Sequence, residues 1–545
     1  MNLARLFTMS PASLRVSALV VPGILGGVLA GCGGGYNSPM TPPAPSPVSV
    51  QVSGTSPFSA SCGNTAAIGE SFTLGSAIQP QIAAIPGGAV GVWQQDRWTG
   101  LGARGILTAH SGDSGATWSA AQALGFSKCA AGTGPGAGYD RASDPWVTFG
   151  GSGVLYASAL AFSATGFLAP GGLSAVLVSR SADSGATWGT PVAVWTDTNG
   201  ATTPFFFNDR DSITADPVSG NVYLVWDRIT DAGNLSMPAY LALWTTASGT
   251  WSTRVLYDPG LVNGVGNEAF NNEIVILPTG VVLDFFTLLT LSTSTASLQV
   301  IRSTDQGATW STPPVTVASV QSVGTANPIP NGLLIRDSPN MAQVAADPNS
   351  SAVAAVWQQS FGSTTFDGIA LSVSKDGGAT WSVPKQVNGV KTVAAFSPTV
   401  RYLPNSVLAI TYYDLRDYMT GSSMLSTSAW LSESSDGTTW HELRLQSPFD
   451  LNKAPPADKG FGTALFLGDN QGLALVGTNP LPFYAATTSA GAHVYATQSP
   501  NPLTSSSAHV YMAAARGPLP AAAAANAQAS VERMRLRAFS PRGRP

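Results

Sequence analysis

Residues 111–118 read SGDSGATW, and related segments return five more times along the chain. They are residues 181–188 (SADSGATW), 246–251 (TASGTW), 303–310 (STDQGATW), 374–381 (SKDGGATW) and 434–440 (SSDGTTW). The intervals between their tryptophans are 70, 63, 59, 71 and 59 residues. A repeat of that length has room for four strands and their loops, so the chain is predicted to consist of similar β-rich units.

The residue types within the repeat indicate a structural role. An Asp side chain can accept hydrogen bonds from backbone N–H groups of its own turn, and Gly adopts a positive φ without steric cost. The Trp that closes the segment can bury a large apolar area at the next strand. Five segments keep the Asp, and we expect all five to be architectural: Asp113, Asp183, Asp305, Asp376 and Asp436.

These segments resemble the Asp-box, or BNR repeat, of the sialidase superfamily, whose pattern is S-x-D-x-G-x-T-W. The resemblance implies an all-β fold, a single Asp-box β-propeller that we place at residues 48–500. Radial repetition of small sheets protects their edges and accounts for both the size and the repeat.

The number of units favours seven blades. Six boxes close six units, whose first strands are predicted at residues 80–85, 145–149, 212–215, 273–277, 341–346 and 398–403. A seventh unit, residues 468–499, has no box and needs one more strand. Residues 48–52 (VSVQV) alternate with period two and could supply that strand. Six blades, the number in sialidases, is the alternative.

Composition sets the broad class. Only 10% of the 545 residues are charged, against about 25% in an ordinary soluble domain. The net charge of −4 and the lack of a basic tract before the last fifteen residues argue against nucleic-acid binding. Because 44% of residues are hydrophobic and 14 are Trp, the chain can bury a large core.

The N-terminus is predicted to contain a secretory signal and a site for a lipid anchor. Arg5 and Arg15 precede or border an uncharged stretch, residues 16–30, which is too short to span a bilayer but fits a secretory signal. The sequence LAGC at residues 29–32 resembles the lipobox of bacterial lipoproteins, which implies lipidation of Cys32. Residues 1–31 would then be a signal peptide, and Gly33 would favour the outer membrane of the bacterial cell envelope. An ordinary secretory peptide is the alternative.

The segments that flank the propeller are predicted to be irregular. Residues 32–47 are rich in Gly and Pro and read as a tether. Residues 501–545 form a low-complexity tail with five Arg at its end, either mobile or a short helix touching anionic lipid.

Cysteine and histidine usage limits the cofactors. Cys62 and Cys129 form an even pair in an oxidising compartment, which favours a disulfide, with two buried thiols as the alternative. The four His residues have no ligand spacing, so no metal or other cofactor is expected. Several Asp side chains at strand ends could hold Ca²⁺, although no EF-hand-like spacing is present.

Charge gathers on one face of the predicted propeller. The start of a unit's first strand and the end of its second lie on the face opposite the boxes, which we call the box-free face. Arg–Asp pairs between blades would explain charges there, and so would a polar ligand such as a sugar or a carboxylate. The charged residues at these positions are Asp96, Arg97, Arg141, Asp144, Asp209, Arg210, Asp211, Asp227, Arg228, Glu273, Arg336, Asp337, Asp414, Arg416 and Asp469.

The sialidase resemblance implies three Arg on the substrate carboxylate, a Tyr nucleophile activated by a Glu, and an Asp acid/base. The chain departs from that pattern. Residues 78–81 read IQPQ, without the first Arg, and residues 396–398 read FSP, without the Tyr. Other residues could take the roles of the missing Arg and Tyr, so the catalytic candidates are Tyr413, Glu273 and Asp209. The candidates for substrate binding are Arg210, Arg336, Arg416, Arg141 and Asp144.

Two functions follow as hypotheses. The first is a lipid-anchored, monomeric propeller that engages glycans on its box-free face, with exo-α-sialidase-type hydrolysis as its potential activity. The second is a non-catalytic scaffold of the cell envelope that binds proteins. In both, the membrane is contacted only through the lipid anchor.

Overall fold

A computed structural model describes residues 47–62, 70–130, 134–164, 168–458, 462–499, 503, 508–512 and 514–515. The predicted signal peptide, Cys32 and all but the last residue of the tether lie outside these residues. The described part is all-β, and its helical elements are three short 3-10 turns, Pro135–Gly138, Pro404–Ser406 and Leu451–Lys453. In this part of the chain no helix is both long enough and apolar enough to cross a membrane.

The strands are numbered in chain order. They are β1 (Val48–Gln51), β2 (Ala77–Ile85), β3 (Gly88–Arg97), β4 (Ala103–Ser111), β5 (Gln122–Leu124), β6 (Arg141–Phe149), β7 (Leu155–Phe162), β8 (Leu173–Ser181), β9 (Val192–Thr198), β10 (Phe206–Ala215), β11 (Val222–Thr230), β12 (Ala239–Trp244), β13 (Trp251–Tyr257), β14 (Leu261–Val262), β15 (Val265–Gly266), β16 (Glu268–Ile276), β17 (Val282–Thr290), β18 (Thr295–Ser303), β19 (Val315–Val320), β20 (Leu334–Arg336), β21 (Gln343–Ala346), β22 (Val353–Gln359), β23 (Gly368–Ser374), β24 (Lys385–Gln386), β25 (Ala395–Leu403), β26 (Val407–Asp414), β27 (Ser426–Ser434), β28 (Thr439–Arg444), β29 (Phe449–Asp450), β30 (Pro456–Asp458), β31 (Thr463–Phe466), β32 (Gly472–Val476), β33 (Asn479–Thr488), β34 (Gly491–Gln498), β35 (His509–Met512) and β36 (Ala514–Ala515).

Within the described residues, seven four-stranded antiparallel units follow one another along the chain. In order they are β2–β5, β6–β9, β10–β13, β16–β19, β21–β24, β25–β28, and β32–β34 with β1. We call them the first to the seventh sheet. A single residue pair, Ala103 with Ala142, links the first two. The small β20–β31–β30 sheet is built from the connections that lead into the fifth and seventh sheets, and its β20 and β31 are parallel.

The N-terminal strand completes the seventh sheet. Val48–Gln51 lies antiparallel to β34, with Val48 opposite Gln498 and Gln51 opposite Tyr495. Among the described residues, no strand that follows β34 in the chain pairs with it, so β1 covers an edge that would otherwise expose unpaired backbone groups.

Hydrogen bonds join each sheet to the next at the first strands or at the segments that lead into them. The seventh sheet is also joined to the first, so the series of contacts returns to its start. One bond for each neighbouring pair, beginning with the first and second sheets, is Gln79 Nε2 to Asp144 Oδ1, Ala215 N to Thr148 Oγ1, Ser212 Oγ to Asn272 O, Asn271 Nδ2 to Ala342 O, Ser338 Oγ with Ser397 Oγ, Gln471 Nε2 to Ser397 O, and Gln79 N to Leu467 O.

The first strands share an irregularity near their start. The register of β2, β6, β10, β16 and β25 shifts there, which is the signature of a β-bulge. A residue with a left-handed backbone lies at each shift, which is uncommon for residues other than Gly. These residues and their φ angles are Gln79 (52°), Asp144 (49°), Arg210 (53°), Asn271 (59°) and Ser397 (49°). Asn340 and Gly468 have positive φ just before β21 and β32.

The repeated turns lie between the third and fourth strands of the sheets. In one of them, Asp305 accepts hydrogen bonds from the Ser303 hydroxyl (2.8 Å), the Thr309 N–H (2.8 Å) and the Thr309 hydroxyl (2.6 Å). The same three bonds form at Asp113, Asp183 and Asp376. In the shorter sixth segment, Asp436 keeps the bond from the Ser434 hydroxyl (3.0 Å) and accepts from the N–H groups of Thr438 and Thr439, both at 2.7 Å.

The turns also bind neighbouring sheets together. Gly307 has φ of 84°, and a Cβ on it would lie 2.9 Å from the Tyr223 ring of the preceding sheet. A Cβ on Gly115 would lie 2.7 Å from Leu481 of the seventh sheet. Only Gly meets both demands, because the turn needs a left-handed residue and the next sheet leaves no room for a side chain.

Part of the predicted tail is ordered β-structure. His509–Met512 pairs with β28 of the sixth sheet, and Ala514–Ala515 pairs with β24 of the fifth. The Tyr511 hydroxyl lies 2.7 Å from that of Ser432 and donates to the Val387 carbonyl. These two short strands lie within the segment predicted to be irregular from residue 501, and they pair with the open backbone edges of the outer strands.

Acid should destabilise the protein through the turns. The hydroxyl and N–H of Thr309 lower the pKa of Asp305 to about 2, and equivalent bonds do the same at Asp113, Asp183 and Asp376. A depressed pKa stabilises the fold fully above the unfolded value, near 4, and the stabilisation is lost as pH falls toward 2. We expect the thermal midpoint, followed by Trp fluorescence, to fall between pH 4 and pH 2.

The variant Asp305→Ala should melt below the wild type at pH 7 and lose part of the acid dependence. Asp258→Ala, at an exposed position outside the turns, is the matched control. Equal midpoints for Asp305→Ala and wild type at pH 7 would contradict the role assigned to the turn.

Candidate ligand site on the box-free face

Seven charged side chains meet at the start of the first strands, and we call them the mouth cluster. Arg97 ends β3, Arg336 ends β20, and Asp469 leads into β32, so long-range packing rather than one sheet brings them together. The full set is Arg97, Arg141, Arg210, Arg336, Asp144, Asp209 and Asp469.

Asp469 is the shared counter-ion of two arginines. Its Oδ2 accepts from Arg210 Nη1 at 2.7 Å and from Arg336 Nη2 at 2.8 Å. The Asp469 side chain is 1% exposed, and those of Arg210 and Arg336 are 9% and 7% exposed. Arg210 belongs to the third sheet, so this contact joins strands that are not neighbours in the series. Breaking a buried pair of this kind leaves an uncompensated charge.

Arg97 carries the least compensated charge of the cluster. Its Nη1 donates to the Gly102 carbonyl, and its buried Nε has no hydrogen-bond partner among the described residues. Burial and the nearby Arg336 lower the pKa of Arg97 to about 9, against the opposing effect of Asp469 and Asp144. An anion placed beside Arg97 would stabilise its charged form and raise its pKa.

Aromatic rings lie next to these guanidinium groups. The Phe466 ring contacts two of them, with its centroid 5.2 Å from Arg97 Cζ and 4.2 Å from Arg336 Cζ. Arg141 lies over Trp98 at 4.6 Å and also pairs with Glu70. The stacking fixes the planes of the guanidinium groups while leaving their edges for hydrogen bonds.

The charges of the cluster change the proton affinity of Arg210 and Asp209. Burial lowers the pKa of Arg210, but Asp469, Asp144 and Asp209 outweigh this and raise it above its ordinary value. Burial raises the pKa of Asp209 to about 6, with Arg210 opposing. The Asp209 side chain is 24% exposed, so a ligand can reach this acid from solvent.

A narrow recess lies beside the cluster. Its free volume is about 10 Å³, roughly the space that one water needs. A sugar ring would therefore have to lie over the recess rather than in it. The recess is lined by Asp144, Trp146, Arg210, Asp211, Ser212, Asn271, Asn272, Glu273, Gln343 and Asn470.

Burial favours the protonated form of two carboxyl groups of the recess. Burial raises the pKa of Glu273 to about 8, against the opposing effect of Arg401. Burial also raises the pKa of Asp211 well above its ordinary value. Asp144 lines the same recess beside Arg210 and accepts a hydrogen bond from Gln79.

Tyr413 is not at this site. Its hydroxyl donates to the Ala485 carbonyl at 2.7 Å and accepts from the Ala485 N–H at 3.1 Å, within an apolar cluster with Phe396 and Phe449. Burial raises the pKa of Tyr413 well above 10, which makes it a poor nucleophile. No contact of Tyr413 reaches Glu273 in the described structure, so the proposed catalytic pair is not assembled.

Arg416 is likewise separate from the mouth cluster. Its Nη1 and Nη2 bind Glu442, at 2.5 and 3.0 Å, and its Nε binds Asp414 at 2.5 Å. Its guanidinium stacks on Trp430 at 3.7 Å. Arg416, a candidate for substrate binding, is therefore separate from Arg210 and Arg336, because both of its acidic partners belong to the sixth sheet.

Other charges of the box-free face form local pairs. Arg104 binds Asp96 at 2.9 Å with both side chains fully buried, and Arg228 binds Asp197 at 2.5 Å.

Cys62 and Cys129 are joined by a disulfide. In the described part of the chain, no group of three or more His, Cys, Asp or Glu side chains is arranged to hold a metal ion.

Sequence reasoning placed Arg141, Asp144, Arg210 and Arg336 together, and the structure brings all four into the mouth. It did not assign Arg97 and Asp469 to the site, although both are charged residues at strand ends. Phe466 carries no signal in the sequence, because its position depends on the pairing of β31 with β20.

Comparisons with known proteins give remote structural similarity. No family model and no curated protein matches the chain. Among solved structures, a Hadza microbial sialidase is similar with a TM-score of 0.43 and 13% identity, over 76% of this chain and 74% of that one.

Two further structures are similar at the same level. A protein of unknown function from Dyadobacter fermentans has a TM-score of 0.41 and 12% identity, over 82% of this chain and 98% of its own. An α-L-arabinanase from Penicillium chrysogenum has a TM-score of 0.37 and 14% identity, over 67% and 96%. The description of the site depends on the contacts above and not on these similarities.

Replacing Tyr413 tests its structural role. Tyr413→Phe removes the hydroxyl that pairs with both backbone groups of Ala485, so we expect a loss of about 1–2 kcal/mol in the free energy of unfolding. Urea unfolding followed by fluorescence measures it. Tyr418→Phe, at a less buried tyrosine, is the control. An unchanged free energy of unfolding for Tyr413→Phe would contradict the assignment.

Proposed function

We propose that the protein is a closed, seven-bladed β-propeller that binds acidic glycans on its box-free face. Seven consecutive four-stranded sheets, the completion of the last by β1 and the hydrogen bonds from the seventh sheet to the first support the closed ring. The LAGC segment at residues 29–32 supports an anchored protein outside the cytoplasm.

The mouth cluster is the observation that carries the binding proposal. Four arginines lie together there, with Arg97 poorly compensated and Asp209 partly open. Guanidinium groups bind carboxylates through paired N–H donors, and the half-buried ring of Trp146 in the recess beside Arg210 suits the face of a sugar. A sugar that carries a carboxylate matches both features, and its ring would lie across the opening of the recess.

A matched pair of arginine variants tests the proposal. Arg336→Lys keeps a positive charge near Asp469 but removes the guanidinium fork. We expect its affinity for sialylated or uronic acid oligosaccharides, measured by calorimetry after a glycan array, to fall at least tenfold, about 1.4 kcal/mol. Arg416→Lys makes the same exchange away from the mouth and should bind like the wild type.

Several outcomes would refute this function. Equal binding of neutral and acidic glycans would remove the role of the arginines. Equal losses in Arg336→Lys and Arg416→Lys would indicate a general effect on the fold. Absence of any glycan binding by the wild type would favour a protein scaffold, in which Asp469 merely holds Arg210 and Arg336 in place.

Glycoside hydrolysis is a second candidate, favoured by the carboxyl groups of the recess. Glu273, protonated at neutral pH, could donate a proton to a leaving group, while Asp144 could activate a water. Glycosidases commonly use two carboxyl groups, one as acid and one as base. This assignment replaces the Tyr413 and Glu273 pair, since Tyr413 is held in the core.

Hydrolysis has its own test. With a panel of fluorogenic glycosides that includes an α-sialoside, we expect turnover to be lost in Glu273→Gln and Asp144→Asn and retained in Tyr413→Phe. Turnover that survives in Glu273→Gln, or disappears in Tyr413→Phe with the fold intact, would contradict the carboxyl mechanism. No turnover by the wild type on the whole panel would reject hydrolysis of those substrates and leave the binding proposal standing.

A further inference from the structure

A second cavity lies between the first strands, on the other side of Glu273 from the mouth. Its volume is about 220 Å³, against about 10 Å³ for the recess beside the mouth. It reaches the ends of β10 and β21, since Ala215 and Ala346 line it, and these ends lie toward the repeated turns. The polar groups on its wall are Thr148, Thr214, Glu273 and Arg401, beside the ring of Trp146.

Arg401 presents unused donors to this cavity. Its Nε donates to the Leu473 carbonyl at 3.0 Å, which fixes the side chain against the seventh sheet. Neither Nη1 nor Nη2 has a hydrogen bond or an ion pair of 4.0 Å or less with any described residue. The outer edge of the guanidinium, the part that binds a carboxylate in paired fashion, is therefore unoccupied by the protein.

Glu273 supplies a second unused group. It is 5% exposed, and its Oε2 is buried without a hydrogen-bond partner among the described residues. A buried polar atom without a partner costs free energy, so a ligand that pairs with it would gain affinity. Burial raises the pKa of Glu273 to about 8, so at neutral pH its acid hydroxyl is a donor rather than a second negative charge.

The charges select the class of ligand. A cation would meet Arg401 without an ionised acid to balance it, whereas an anion would meet one guanidinium and one acid hydroxyl. We propose that the cavity between the first strands binds a small carboxylate, with the carboxylate on the Nη atoms of Arg401 and the Glu273 hydroxyl. The threonines and Trp146 form the wall around the rest of the ligand, which limits it to a few carbon atoms. This site shares Glu273 with the recess at the mouth, whereas Arg401 belongs to it alone.

The probe is propionate, with propionamide as the uncharged comparison at matched ionic strength. We expect the purified full-length protein to bind propionate but not propionamide, by saturation-transfer NMR and by a rise in thermal midpoint. Arg401→Gln should raise the propionate Kd at least tenfold. Glu273→Gln keeps a neutral donor and should stay within threefold of wild type at pH 7. Arg416→Lys, outside both sites, is the control.

The pH dependence separates the two groups. The charged or titratable side chains near Glu273 are Arg401 on β25, Asp284 on β17, and Asp144, Arg210 and Asp211 of the recess, with the Val344 N–H on β21. As pH rises through 8, Glu273 ionises and repels the anion, so wild-type affinity should fall. Glu273→Gln should lack that fall.

Ala346→Leu is a second variant that fills the cavity without removing a charge, and it should abolish binding even if Arg401→Gln does not fold. The proposal is overturned if the wild type binds no propionate, or if Ala346→Leu binds it like the wild type. It is also overturned if Arg336→Lys alone loses binding, since the carboxylate would then lie at the mouth.

Discussion

The contact of Asp469 with Arg210 and Arg336 connects parts of the chain that no single sheet could hold together. Arg210 lies in the bulge of the third sheet, Arg336 ends β20, and Asp469 leads into the seventh sheet. Since all three side chains are nearly buried, removing one of them would leave a buried charge without compensation. The position of the mouth arginines therefore follows from this ion pair, while the sheets provide the frame that brings the three together.

The frame itself depends on local chemistry repeated many times. Each Ser-Asp-Thr turn satisfies its own backbone, and its Gly then allows the next sheet to approach closely. The bulged first strands do the opposite at the other end, where left-handed residues such as Gln79 and Asn271 direct polar groups toward neighbouring sheets. The turn end of the sheets is thereby stabilised by hydrogen bonds within each turn and by close packing at its Gly, and the other end by polar contacts between sheets, where the arginines gather.

The repeat made much of this architecture predictable. Period-two alternation in residues 48–52 indicated a strand, and the missing fourth strand of the last unit indicated its place, where β1 pairs with β34. The site was less predictable. Tyr412 and Tyr413 must point to opposite faces of β26, but alternation does not say which face meets a neighbouring sheet. Arg336, Phe466 and Asp469 lie in or beside long connections without periodic pattern, so their convergence could be learned only from the fold.

The central claim is that a ring of seven sheets presents its arginines to an acidic sugar. A crystal structure of the protein with a sialylated or uronic acid oligosaccharide tests it most directly. The account predicts seven sheets around the mouth, with the sugar carboxylate within hydrogen-bond distance of at least two of Arg97, Arg141, Arg210 and Arg336. A ring of six sheets, or a sugar bound only at the Ser-Asp-Thr turns, would contradict it.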